Sequence, residues 1–315
     1  MSTIEKSAVP SFIAAAKTEQ GDFRSVAISA AHPEKLVIAS YNIRYAVGQF
    51  LISSGLLRKA GFNPPQPRTD RVGEHIRLAA RAFSDGVLLP PVDILALQEA
   101  DNGTARTGGH HVARDLAEAM RMYWVHVGAG IPRDIKPVSR QWWLNFEEQI
   151  GRNDPGDTGV AMLSRQKLND VKRVDLPYEE CPWRPRLAMA ATVAIGSVKL
   201  RVINAHVDPH AAIGGQLKQV EALLEHAARN DGPTLILGDF NTLSKRKVAE
   251  TRDVLEANGY FTPFPSGTAT WRGAGLRLHA DWIFGRHVKF TRYGVARPLN
   301  VSDHWPIWAE VAIAD

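Results

Sequence analysis

Thr234-Leu235-Ile236-Leu237-Gly238-Asp239-Phe240-Asn241 decides how this chain is read. Thr234 to Leu237 is apolar or β-branched, the composition of a buried strand. Gly238 then lets the backbone turn. Asp239 and Asn241 follow two residues apart, so continued strand alternation points both side chains the same way. A carboxylate and an amide then sit together where a rigid strand meets a loop. Such a pair can hold a metal-activated water or a phosphate oxygen. It can equally form an Asx-type turn, and this stretch alone leaves both readings open.

Outward from this stretch, apolar runs recur with polar residues at their ends. Leu36 to Ile43 reads as a strand with Asn42 near its tip, and Val92 to Glu99 as a strand ending in an acid. Tyr123 to Val127, Thr158 to Ser164, Asp281 to Phe284 and Val288 to Val295 are further strands. Met189 to Ile195 and Val198 to His206 form a hairpin around Gly196-Ser197. Ser302-Asp303-His304 precedes a last strand, Trp305 to Ile313. Helices are expected after a Thr69 or Asp70 cap, over Val112 to Met122, over Ile213 to Ala228 and over Val248 to Asn258. The third carries Leu217, Val220, Leu224 and Ala227 on one stripe. Gly128 to Asp157, with Trp142 and Trp143 inside it, and Phe264 to Leu278 read as loops. Hairpins mixed with helical crossovers, without internal repeats, point to two β-sheets packed face to face with helices outside. Residues 1–34 lack a period and read as an arm, and residues 35–315 as the single domain.

The 315 residues are 44% hydrophobic and 23% charged, enough for a sizeable core. One cysteine, Cys181, excludes an internal disulfide framework and a cysteine-based zinc site. No window approaches the roughly 18 apolar residues of a membrane span, and no secretory apolar region follows Met1. A soluble, cytoplasmic protein is the expectation. The net charge of +5 suits an anionic substrate, but it is too dispersed to mark a nucleic-acid stripe. A phosphate-binding loop of the G-x-x-x-x-G-K-[ST] type and a G-x-S-x-G elbow are both absent, which removes support for nucleotide-driven and acyl-serine mechanisms.

Asn42, Glu99, His206, Asp239, Asn241, Asp281, Asp303 and His304 all lie at or beside strand ends. Each alone reads as a turn or cap residue, but the set on one β scaffold is harder to assign to turns. Carboxylates and amides suit the oxygen-seeking Mg²⁺ or Mn²⁺, and no His-Glu-x-x-His pair favours zinc.

With those residues in place the chain resembles the endonuclease/exonuclease/phosphatase superfamily of metal-dependent phosphoesterases. Ala39 to Ile43, Leu97-Gln98-Glu99, Gly159 to Ser164, Asn204-Ala205-His206, Gly238 to Asn241, Asp281 to Phe284 and Ser302-Asp303-His304 carry the resemblance, in the family's order. It implies an α/β (α+β) fold, a four-layer α/β/β/α sandwich of two mixed sheets flanked by helices. It implies Glu99 as principal metal ligand, Asn42 in support and Asp303 beside the metal. By the same resemblance Asp239 orients or deprotonates water, Asn241 holds a phosphate oxygen or the nucleophile, and His304, oriented by Asp281, contacts the phosphate. His206 contacts the scissile phosphate and helps the leaving group. The implied activity is divalent-metal-dependent hydrolysis of a phosphodiester or phosphomonoester, nuclease-like. The alternative is a phosphatase or phospholipase-C-like phosphodiesterase on a lipid or small molecule, and more remotely an inactive phosphate-binding module. Asn204-Ala205-His206 resembles the deoxyribonuclease, sphingomyelinase and inositol phosphatase branches, although the Trp-Cys-Asp-Arg signature of the last is missing.

Arg106, shortly after Glu99, is expected either to grip a substrate phosphate or to be a structural loop arginine. His210 reads as a solvated loop residue. The Trp142–Trp143 patch reads as packing, and Trp271-Arg272 as either packing or a stacking surface. Nucleic acid is one candidate substrate, and no protein partner is legible.

Overall fold

Each strand of the opening kind has apolar residues on both faces, so each must be covered on both sides. The computed structural model describes residues 16–24, 33–48, 67–135, 149–178, 182–273 and 275–314, and shows how. In chain order the elements are β1 (Thr18–Asp22), β2 (Lys35–Asn42), α1 (Arg68–Ser84), β3 (Ile94–Gln98), α2 (Val112–Met120), β4 (Tyr123–Gly128), β5 (Gly159–Ser164) and β6 (Asn169–Asp175). They continue with β7 (Leu187–Ile195), β8 (Val198–His206), α3 (Ile213–Ala227), β9 (Thr234–Asp239), α4 (Lys245–Ala257) and β10 (Trp271–Gly273). The last are β11 (Leu276–Leu278), β12 (Asp281–Arg286), β13 (Val288–Val295) and β14 (Ile307–Ile313).

A seven-stranded sheet runs β1-β4-β5-β3-β2-β14-β13 and a five-stranded sheet runs β12-β9-β8-β7-β6. Strand alternation sorts the apolar residues into layers. Leu235 and Leu237 of β9 face the other sheet, in one buried cluster with Ile38, Ile94, Met162 and Val202. Ile236, between them, faces Val220 and Leu223 of α3 and Leu255 of α4. On the far side, Tyr41, Leu95 and Leu97 pack under Val72, Ile76 and Phe83 of α1 and Leu116 of α2. The result is the four-layer sandwich with mixed sheets. The parallel pairs β2–β3 and β8–β9 are each joined by a helical crossover, α1 and α3. A fully buried leucine such as Leu237 contributes about 1.5–3 kcal/mol, and Leu237→Ala is expected to cost about 2–5 kcal/mol.

Several details differ from the sequence reading. Thr18–Asp22, inside the stretch without a period, pairs antiparallel with β4. Its alternation of exposed and half-buried residues reflects an edge strand with little apolar signal. β6 is missing from the sequence reading for the same reason, with only Val174 buried. The segment Phe264 to Leu278 contains the short β10–β11 hairpin. Helix α1 starts at Arg68 with Pro67 at the cap position, so Asp70 lies in the first turn rather than capping it. Helix α3 buries Gln216, Gln219, Val220, Leu223 and Ala227, a stripe rotated from the expected one. The glutamines go inside because they bind backbone, as described below. Residues 49–57, Trp142, Trp143 and Cys181 lie outside the described residues. Among the described residues, no helix is long and apolar enough to cross a membrane.

Candidate active site

Strand register lines up much of the site. Asp239 ends β9, with His206 beside it in the parallel neighbour β8 and Asp281 beside it in the antiparallel neighbour β12. Gly238 makes this close packing possible. Its φ is +138°, and a Cβ built there would fall on the Ala205 carbonyl oxygen of β8. Gly238 therefore sits inside the strand rather than starting a turn.

The seven-stranded sheet supplies the opposite wall. Asn42 ends β2, and Glu99 follows the last residue of β3. Glu99 has φ 52°, left-handed for a non-glycine residue. Such backbone costs on the order of 1–3 kcal/mol and persists where neighbours hold it. Here Tyr45 N donates to the Glu99 carbonyl at 2.9 Å, and Ala100 N donates to the Gly159 carbonyl at 3.0 Å. Between the sheets, Gln98 Nε2 donates to Asn204 Oδ1 at 2.6 Å. The Asn204 amide donates in turn to the Leu97 and Ala161 carbonyls, both at 2.9 Å. This buried polar bridge sets the spacing of the two walls directly beneath Glu99 and His206.

Asp239 is the hub. Its Oδ2 accepts from Asn42 Nδ2 at 2.9 Å and from Asn241 Nδ2 at 3.2 Å. Its Oδ1 accepts from Asn241 N at 2.9 Å. His206 Nε2 lies 3.7 Å and His304 Nε2 3.8 Å from the same Oδ2. His206 Nε2 is also 3.8 Å from Glu99 Oε1. His304 Nδ1 meets Asp281 Oδ2 at 2.9 Å. The amide hydrogens of Asn241 go to Asp239 and to the Val207 carbonyl, so Asn241 braces the aspartate. Asp303 stands at the margin: Trp271 Nε1 donates to its Oδ2 at 3.1 Å, Ser302 Oγ to its Oδ1 at 3.2 Å, and Arg44 Nε is 3.8 Å away.

Burial and charge set the protonation states. Burial pushes Asp239 up to about 7, with His304 opposing and Asp281 reinforcing. His304 is raised to about 10: burial works against the charge, but Asp281 and Asp239 outweigh it. His206 is held well below its ordinary value by burial and by the cations Arg186, Arg184 and His304, so it is neutral. The oxygen-rich donor set and the unfavourably buried Asp239 carboxylate both fit a divalent cation. Asp239, Asp281 and His304 alone offer three ligand atoms within 4.8 Å of one another.

The family model described as Endonuclease/Exonuclease/phosphatase family matches residues 39–304, which include every residue of this cluster. The chain belongs to that family. Members of the endonuclease/exonuclease/phosphatase family are hydrolytic phosphoesterases, and the chain is an ester-bond hydrolase of that type. No curated protein matches it by sequence. Solved structures share the fold. An endonuclease/exonuclease/phosphatase from Beutenbergia cavernae is 15% identical with a TM-score of 0.60, covering 89% of this chain and 72% of its own. A humanized D. rerio TDP2 is 16% identical with a TM-score of 0.53, covering 88% and 99%. A mannosyl-6-phosphatase from Bacteroides thetaiotaomicron is 18% identical with a TM-score of 0.57, covering 88% and 100%.

Within this family fold, the structure adds two arginines that sequence reasoning missed. Arg184 Nη2 is 3.0 Å from Glu99 Oε1. Arg186 Nη1 lies 2.9 Å from Nε2 and 3.0 Å from Nδ1 of His206. Both are buried. The only sequence signal was two arginines just before an apolar strand, in Trp183-Arg184-Pro185-Arg186-Leu187. Arg106 answers differently: its guanidinium grips Asp101 at 2.6 and 2.8 Å and lies 3.6 Å over the Tyr45 ring. Of the two readings offered for Arg106, this geometry is that of the structural loop arginine. His210 is buried rather than solvated, because Asp208 folds the turn inward through His210 N at 2.8 Å and Trp183 packs edge-on at 4.8 Å. Gln216 and Gln219 hold that turn, through the Asp208 carbonyl at 2.7 Å and the Asp208 N–H at 2.9 Å.

Proposed function

We propose that this phosphoesterase is a Mg²⁺- or Mn²⁺-dependent phosphodiesterase, nuclease-like in substrate class, that hydrolyses by direct attack of water. The observation that carries the reading is the meeting of His206, His304, Asn42 and Asn241 on Asp239, with Glu99 across from them beside His206. Glu99 and Asn42 would hold the metal, with Asp303 at the margin. A bound divalent cation supplies charge neutralisation for the phosphate and its leaving oxygen. Asp239, near neutral in pKa, takes the proton of a water placed against it, and Asn42 and Asn241 fix its orientation. The His304 imidazolium, held by Asp281, binds a phosphate oxygen. Arg184 and Arg186 add two cations to the same site. Neutral His206 stays within reach of the leaving group. Arg106, committed to Asp101, is a positioning residue for the Glu99 loop.

A second reading, a phosphomonoesterase, draws on the concentration of Arg184, Arg186 and the His304 imidazolium in one buried site, which suits a dianionic phosphate. It agrees with the fold shared with a mannosyl-6-phosphatase. One panel separates these: Mg²⁺- and Mn²⁺-dependent hydrolysis of plasmid DNA, single-stranded nucleic acid, sphingomyelin, phosphoinositides, a chromogenic phosphodiester and a sugar phosphomonoester. Nucleic-acid cleavage supports the first reading, and turnover of monoesters alone supports the second. Glu99→Gln and Asp239→Asn are each expected to fold and to lose on the order of 10²-fold or more in rate. Near-wild-type turnover by both variants would sink the assignment.

A further inference from the structure

A second cluster lies away from Asp239, where β1 meets the start of α2. Glu19 of β1 stands directly across from His126 of β4 in the strand register. His111 sits at the N-cap of α2, and its ring lies 5.2 Å from that of His126. One carboxylate oxygen and one nitrogen from each ring lie within 4.8 Å of one another. We propose that Glu19, His111 and His126 form a zinc site separate from the hydrolytic centre.

The hydrogen bonds show which atoms are ready to bind. His126 Nε2 is 2.8 Å from the Ala100 carbonyl oxygen, which can only accept, so Nε2 carries the proton. That leaves Nδ1 with a free lone pair, and it is buried without a hydrogen-bond partner. An imidazole that gives its N–H to a backbone carbonyl and keeps its other nitrogen open is the usual arrangement of a zinc-ligating histidine. His111 Nε2 faces Glu19 Oε2 at 2.9 Å, and Asn102 Nδ2 donates to the same oxygen at 2.8 Å. Both contacts fall on Oε2, so Oε1 accepts from neither. When the ion takes His111 Nε2, that ring's proton moves to Nδ1, and the 3.3 Å capping bond from Arg114 N is given up. No proton leaves the two rings.

Two imidazoles with one carboxylate suit zinc or another borderline first-row ion, and suit Mg²⁺ poorly. Three protein ligands leave one position for water. A cavity of about 500 Å³, lined by Glu19, Asn102, His126, Arg133 and Asp157, adjoins two of the three ligands. Glu19, on β1, falls outside the residues that match the family, whereas His111 and His126 fall inside them. The consequence of the site is mechanical. His126 holds the carbonyl of Ala100, the residue next to the left-handed Glu99. An ion here would tie β1, α2 and the Glu99 turn together.

The test uses full-length chain stripped with EDTA and then dialysed against buffered Zn²⁺. The double substitution Glu99→Gln/Asp239→Asn serves as the background, because Glu99 is the proposed metal ligand of the hydrolytic centre and Asp239 belongs to the other candidate cluster. The expected result is one tightly held Zn²⁺ per chain on that background. Adding His126→Gln, or Glu19→Gln, should weaken it by more than the roughly 10–100-fold that losing a supporting hydrogen bond costs. Glu19 is half-buried on an edge strand, so Glu19→Gln keeps the test usable where His126→Gln misfolds. Co²⁺ titration of the Glu99→Gln/Asp239→Asn chain should give the visible absorption of low-coordinate nitrogen–oxygen ligation, lost when Glu19→Gln is added. Stoichiometric binding abolished by both substitutions supports the site. No zinc bound to the Glu99→Gln/Asp239→Asn chain, or binding indifferent to both substitutions, overturns it. The readout is bound metal, so it stands apart from the hydrolysis assays.

Discussion

Asp281→Asn isolates the charge behind His304. Asparagine keeps the shape and can still accept from His304 Nδ1, so the substitution removes one negative charge from a buried pair 2.9 Å apart. At that distance and an effective dielectric of 20, the attraction is bounded by about 6 kcal/mol. At about 1.36 kcal/mol per pH unit, this bound corresponds to about 4 units. Asp239 and Asp303 remain to support the imidazolium, while burial pushes the other way. The expected outcome is a fall of at least about 2 units from the wild-type value of about 10. The sign follows from the raised pKa. The imidazolium's contribution to stability is full below pH 6.5 and is lost as pH rises through about 10 in the wild type. Phosphate binding by the imidazolium has the same upper limit. The variant-to-wild-type ratio of kcat/KM on a chromogenic phosphodiester should fall about tenfold at pH 9 and recover towards one near pH 6. NMR titration of the His304 ring gives the pKa without a substrate. A wild-type ring that titrates near 6.5, or a rate ratio independent of pH, would refute the reasoning.

Gly238→Ala puts a methyl group on the Ala205 carbonyl oxygen at φ +138°, so it should destabilise by several kcal/mol, on the order of the strained-backbone and overpacking costs combined. Denaturant unfolding checks this, and a wild-type midpoint would show that β8 and β9 pack otherwise. Asn204→Ala takes the side-chain donor from the buried Leu97 and Ala161 carbonyls and leaves Gln98 Nε2 with only Ser40 Oγ, at 3.2 Å. At about 1–3 kcal/mol for each unsatisfied group, a loss of about 3 kcal/mol or more is expected in the same experiment. Arg186→Gln removes a cation that depresses His206, so the His206 ring should titrate at higher pH while kcat/KM falls. An unchanged titration would place Arg186 outside the electrostatics of the site.

Asp239, Asn241 and their partners were legible because strand ends carry a readable pattern: an apolar run that stops at a carboxylate, amide or imidazole. The layering was legible for the same reason, since Leu235, Ile236 and Leu237 alternate between the inter-sheet core and the helices. The edge strands β1 and β6 escaped because exposed strands bury too little to leave a period. The burial of Gln216 and Gln219 escaped because periodicity counts apolar residues, while these two are held inside by Asp208.

The sequence by itself determined the fold class and the family, because repeated strand patterns and strand-end residues are local properties of the chain. Only the tertiary structure decided which charges meet. Arg184 and Arg186 join Glu99 and His206 across long sequence separations, while Arg106, a few residues from Glu99, is spent on Asp101. The opening stretch shows the same division. Its residues marked Asp239 as a candidate, but the register of β8, β9 and β12 set His206 and Asp281 beside it. Electrostatics acts through space, and proximity in space is what folding adds to the order of residues.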